Sequence, residues 1–216
     1  SNNNKYICAM LIKFGKLKKV MRFFLMLISA TILGQTDYSA AWEDFYSYNN
    51  VKKVTFGEGK LYAMVENSVF VYDQNSEELT KLSSINGLSG ENTSAIHYSI
   101  ANSILVVGYE NGNIDIIDPS GTVDRIVAIA LSEVSNEKKI NNIYEYNNLL
   151  YLSMPFGIVT YDILKKECRD TFFIGANSSS VIINDIISAN DKIYAASEQG
   201  IYRGNLDQNL NDFNNW

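Results

Sequence analysis

An all-β fold is predicted, and three observations predict it. Leu61, Leu105, Leu150 and Ile193 stand 44, 45 and 43 residues apart, each inside an almost unbroken apolar run. A turn carrying Gly or Asn and a second apolar run follow each of them, closing on Asp73, Asp118 and Asp162 in the first three units. The composition favours strands: 14 Tyr and 10 Phe stand against 2 Pro, and 46% of the 216 residues are hydrophobic. That hydrophobic share also excludes a disordered chain. Recurrence at this interval, with up to four short strands per unit, is the mark of a β-propeller.

The first strand of each unit is marked by Val54, Ile96, Ile143 and Ile186. Polar turns follow at residues 57–59, 101–103, 147–148 and 190–191, whose Gly, Asn, Ser and Asp supply the positive φ of tight hairpins. The second strands start near Lys60, Ile104, Leu149 and Lys192. Their continuous apolarity predicts cover on both faces, because a blade buries its flanks only by stacking on the next. The third strands begin after Asn67, Gly112, Gly157 and Gly200 and partly alternate. Fourth strands are more variable and are placed at 78–82, 123–129, 168–173 and 211–216. An α/β fold would need helical segments of about 10–15 residues between strands, and none is found after residue 40. A β-sandwich would lack the constant interval.

The N-terminal region differs in charge. Lys5, Lys13, Lys16, Lys18, Lys19 and Arg22 lie in the first 34 positions, which hold no Asp or Glu. The remainder therefore carries 12 basic and 24 acidic side chains, a formal −12. Residues 23–33 are mostly apolar, too short a run for a bilayer span of roughly 20 residues. They suit the hydrophobic region of a secretion signal, so residues 1–34 are assigned to a signal peptide and upstream residues, with cleavage near Gly34. Residues 35–50 form an N-terminal strand segment, because Trp42 to Phe45 resemble Leu210 to Phe213, 168 residues further on. With residues 51–216 already supplying four four-stranded blades, that strand is surplus. The chain is thus expected to be part of a larger, seven-bladed propeller of roughly 310 residues, its remaining blades missing here. A complete four-bladed ring is the alternative.

Little in the chain points to chemistry. No basic stripe follows residue 34, which disfavours nucleic acid. Cys8 lies upstream of the apolar run, and Cys168 is then the only other thiol, a small packing residue rather than a disulfide or metal ligand. His97 is the only histidine, so neither a triad nor an imidazole metal site can be assembled with a second one, and Ser94 has no nucleophile-elbow context. Asp73, Asp118 and Asp162 end third strands and are expected to cap turns. The Gly-rich residues 86–90 follow no βα unit and read as a link between blades. Residues 92–94 and 177–179 match glycosylation sequons, a short and common pattern. The loop 176–180 is a candidate ligand contact by position alone. No catalytic, metal or cofactor-binding residue is expected, nor any cofactor.

The wording of the repeats nevertheless resembles a known family. Residues 47–90, 105–118, 140–163 and 183–203 are similar to the N-terminal propeller of the PorZ-type component of the Bacteroidota type IX secretion system. They also resemble, more loosely, the two-component-regulator propeller repeats of hybrid sensor kinases. The first resemblance implies a non-enzymatic binding and assembly component, exported to the periplasm, outer membrane or cell surface. It would be membrane-associated through partners rather than spanning, and would work with other secretion-system surface proteins and an anionic lipopolysaccharide. The −12 charge of residues 35–216 opposes an anionic glycan unless a local positive pocket exists. The second resemblance implies a periplasmic ligand-sensing propeller.

Overall fold

In the computed structural model the described residues are 50–216, all within one compact unit, Tyr46–Trp216. The expected signal peptide, Cys8 and the strand at 42–48 lie outside the described residues. Among the described residues, fifteen strands form four antiparallel meanders. The first sheet runs β1 (Lys53–Gly57), β2 (Lys60–Met64), β3 (Val69–Asp73) and β4 (Leu79–Leu82). The second runs β5 (Thr93–Ser99), β6 (Ile104–Tyr109), β7 (Ile114–Ile117) and β8 (Val123–Ile126). The third runs β9 (Asn142–Tyr146), β10 (Leu149–Met154), β11 (Gly157–Asp162) and β12 (Glu167–Phe172). The last has three strands, β13 (Ile183–Ala189), β14 (Lys192–Ser197) and β15 (Gly200–Asn205).

The sequence repeat is a repeat of register. Leu61 pairs with Tyr72, Leu105 with Ile117, Leu150 with Tyr161 and Ile193 with Gly204. Innermost strands pack in series: β1 on β5, β5 on β9 and β9 on β13. Each of the three apolar cores fills the seam between two successive sheets. Met64 and Val69 of blade 1 meet Leu105, Val107 and Tyr109 of blade 2. Val106, pointing the other way, meets Leu150 and Leu152 of blade 3. Tyr151 and Ile158 in turn meet Ile183 and Ile193 of blade 4. Successive residues of a strand face opposite seams, so a strand between two neighbours is apolar at most positions, and a polar one there needs a partner. Each such aliphatic side chain contributes roughly 1.5–3 kcal/mol when fully buried.

Close approach explains one glycine. A Cβ on Gly57 would overlap the Tyr98 ring, which stacks on Tyr62 across the first seam at 5.3 Å between centroids.

Two of the four expected fourth strands need correction, while those at 78–82 and 168–173 are found as β4 and β12. Residues 211–216 do not form one. Asp212 caps a 3-10 turn (Phe213–Asn215) by accepting from the Asn214 N–H at 3.0 Å, and the Trp216 indole N–H donates to the Leu210 carbonyl at 2.9 Å. The Trp216 ring then packs on Phe172, 6.1 Å between centroids. A segment so rich in Asn and Asp bonds its own backbone instead of a neighbouring strand. Among the described residues the fourth sheet therefore has three strands. In blade 2 the strand stops at Ile126, and α1 (Ala128–Leu131) follows, with Ile129 buried in the second seam.

Candidate functional site

The recurring aspartates are turn residues. The Asp73 carboxylate accepts from the Asn75 and Ser76 N–H groups, Asp118 from Ser120 and Thr122, and Asp162 from Leu164 and Lys165. At Asp73 and Asp118 these bonds favour the charged form. The Asn75 N–H first, then that of Ser76, hold the Asp73 carboxyl below the usual range, and the Ser120 hydroxyl does the same for Asp118.

His97 is a seam residue. Its Nε2 lies 3.0 Å from Glu145 Oε2, and Glu145 Oε1 accepts from Ser99 Oγ at 2.9 Å and Asn102 Nδ2 at 3.1 Å. The two carboxylate oxygens thus tie β5 to β9. His97 and Ser99 both address Glu145 rather than each other, so the cluster contains no activated nucleophile. A second tie crosses further. Lys53 Nζ donates to Asn142 Oδ1 at 2.5 Å, and Asn142 Nδ2 donates to Asp185, joining blades 1, 3 and 4. Burial lowers the Lys53 ammonium pKa, against the opposing pull of Asp185.

Asp115 is the buried charge that sequence reasoning missed. It is fully buried in blade 2 and accepts four bonds: the Ser89 N–H at 2.6 Å, Ser89 Oγ at 3.0 Å, the Tyr109 hydroxyl at 2.6 Å and Arg125 Nε at 3.1 Å. Arg125 also donates to the Gly87 carbonyl at 2.9 Å. The Gly-rich link between blades 1 and 2 is therefore pinned by a paired carboxylate, a structural duty rather than phosphate binding. Burial, then Asp115, pushes the Tyr109 phenol far above its ordinary value. An acidic residue inside an apolar strand, Ile114-Asp115-Ile116, was the available signal.

Ser94 lies on β5, its Oγ buried and without a hydrogen-bond partner. The half-buried Cys168 thiol is pushed up by burial. Residues 176–178 form an exposed 3-10 turn with Asn177 at positive φ. Among the described residues, no group of three His, Cys, Asp or Glu is placed to hold a metal ion, and no helix is long and apolar enough to cross a membrane. Open space lies in the seams: a cleft of about 190 Å³ between blades 1 and 2, and a groove of about 580 Å³ between blades 2 and 3.

Meandering sheets stacked through their innermost strands, with polar ties in the seams, define a β-propeller protein. Residues 61–216 match the family model of the PorZ N-terminal β-propeller domain of the type IX secretion system, and the chain belongs to that family. Among solved structures it is similar to PorZ of Porphyromonas gingivalis, at 24% identity and a TM-score of 0.70 over 81% of this chain. It spans only 23% of that protein. It is also similar to the extracellular domain of a putative hybrid two-component system of B. thetaiotaomicron, at 17% identity and a TM-score of 0.61, over 79% of this chain and 23% of that one. A third likeness is to Sqt1 of Saccharomyces cerevisiae, at 19% identity and a TM-score of 0.60, over 75% of this chain and 48% of that one. These likenesses to solved structures show the fold. No curated protein matches the chain in sequence.

Proposed function

We propose that the chain is a non-enzymatic binding and assembly component of the type IX secretion system. It is exported and acts in the periplasm, at the outer membrane or at the cell surface. The family match over residues 61–216 carries this reading. It is supported by the description of the P. gingivalis protein as an essential bacterial surface component of that system. Its polar groups also support a scaffold, since Glu145, Asp115 and Asn142 are spent on joining blades or pinning links. Partners are other surface proteins of the machinery, with an anionic lipopolysaccharide as a further candidate.

A second reading, a ligand-sensing propeller of a hybrid two-component system, is favoured by the likeness to the B. thetaiotaomicron extracellular domain. One experiment separates the two. The chromosomal reading frame is tagged, and its product is purified from the envelope of the source bacterium. Co-purification of secretion-system proteins, with loss of secreted cargo on deletion, is expected. A product continuing into a membrane span and kinase domain, with secretion intact on deletion, would overturn the assembly reading.

A further inference from the structure

Two seam clefts flank one exposed carboxylate. The first, between blades 1 and 2, has an apolar floor including Val71, Leu82 and Leu105. The second, between blades 2 and 3, has Ile104, Ile116 and Leu164 in its lining. Asp118, on the turn after β7, lines both.

The charge around them is negative. The cations present are already met by acids: Lys166 Nζ lies 3.0 Å from Asp124, and Lys60 Nζ lies 4.0 Å from Asp73. The Asp118 carboxylate, in contrast, takes its hydrogen bonds from the neutral donors of Ser120 and Thr122. Its charge therefore remains exposed between two clefts, each with apolar side chains in its lining. In the core of the same seam, the fully buried Tyr161 hydroxyl has no hydrogen-bond partner, and burial first, then the charge of Asp124, a lining residue, pushes its phenol up. Leu164, 69% exposed, stands in the same lining. A volume of about 580 Å³ lies within the range of ligand-binding clefts.

We propose that this surface of blades 1 to 3 docks an extended segment of a partner protein carrying a Lys or Arg flanked by branched apolar side chains. The apolar residues fill the two seams, and the basic residue meets Asp118. Such complementarity sets which partner is accepted and how fast it arrives more than how tightly it is held. The inference rests on the reading of the propeller as a binding component, and it names the surface and the partner chemistry.

The test uses the full 216-residue chain with labelled Ile, Leu and Val methyl groups. Two blocked pentapeptides are titrated by NMR, one of sequence Leu-Lys-Ile-Arg-Leu and one with Glu at both basic positions. The basic peptide is expected to shift the methyls of Ile104, Ile116 and Leu164, and its affinity to fall with added salt. Asp118→Asn should weaken it about threefold, the scale of one exposed charge pair. Leu164→Ser, at an exposed position, should weaken it without altering the spectrum of the other seams. Equal binding of the acidic peptide, shifts centred instead on Ile187 and Ile201, or no binding of either peptide would overturn the proposal. Any of these results would leave the assembly reading to its own test in cells.

Discussion

The residue that carries most local consequence is Asp115. A carboxylate with no exposed surface is tolerable only when its charge is matched, and four donors match it here. Asp115→Ala would strand the Tyr109 hydroxyl and the Ser89 N–H and release Arg125. A loss of about 3 kcal/mol is expected, read from the urea midpoint. A loss under about 1 kcal/mol would mean that the Gly-rich link holds without it. His97 teaches the complementary lesson. Its rarity was legible in the sequence and argued for a structural role. Its partner Glu145, 48 positions away, was not, because no local pattern marks which residue of one blade faces which residue of the next.

At the scale of the element, the strands divide by what covers them. β10 and β11 lie between two neighbouring blades, and β11 is buried along its whole length. β15 pairs with β14 on one edge, and in the described residues no strand pairs with the other. Amide exchange should follow this contrast: β10 and β11 slowest, and β15 faster by about a hundredfold or more, since exposed ladders open locally at low cost. Equal protection of β15 would show that its outer edge is paired in solution. Residues 211–216 depart from the expected fourth strand for a local reason. Leu210 and Trp216 fold back on Gly204 and Phe172 while the Asn and Asp between them make turns.

Across the described residues, the seams hold the buried apolar cores, while the two end blades carry exposed apolar side chains. On blade 4, Ile187 is 58% exposed and Ile201 77%, and on blade 1, Val54 is 60% exposed. Apolar residues gathered this way favour association. Sedimentation velocity on this chain should show mass rising with concentration, and the double variant Ile187→Thr, Ile201→Thr should reduce the effect. A single species at every concentration, unchanged in the variant, would show that these faces are not adhesive.

The sequence by itself determined the repeat, its interval of about 44 residues, the hairpin turns and the radial stacking. Each follows from rules acting over a few residues: side-chain alternation, turn chemistry, and the need of a two-faced strand to be apolar at most positions. Only the tertiary structure decided which polar groups meet across the seams: Glu145 with His97, Asn142 with Lys53 and Asp185, and Asp118 between two clefts. Those pairings join residues some 40 to 90 positions apart, whose encounter depends on how blades rotate about their shared axis, and no local preference encodes that rotation.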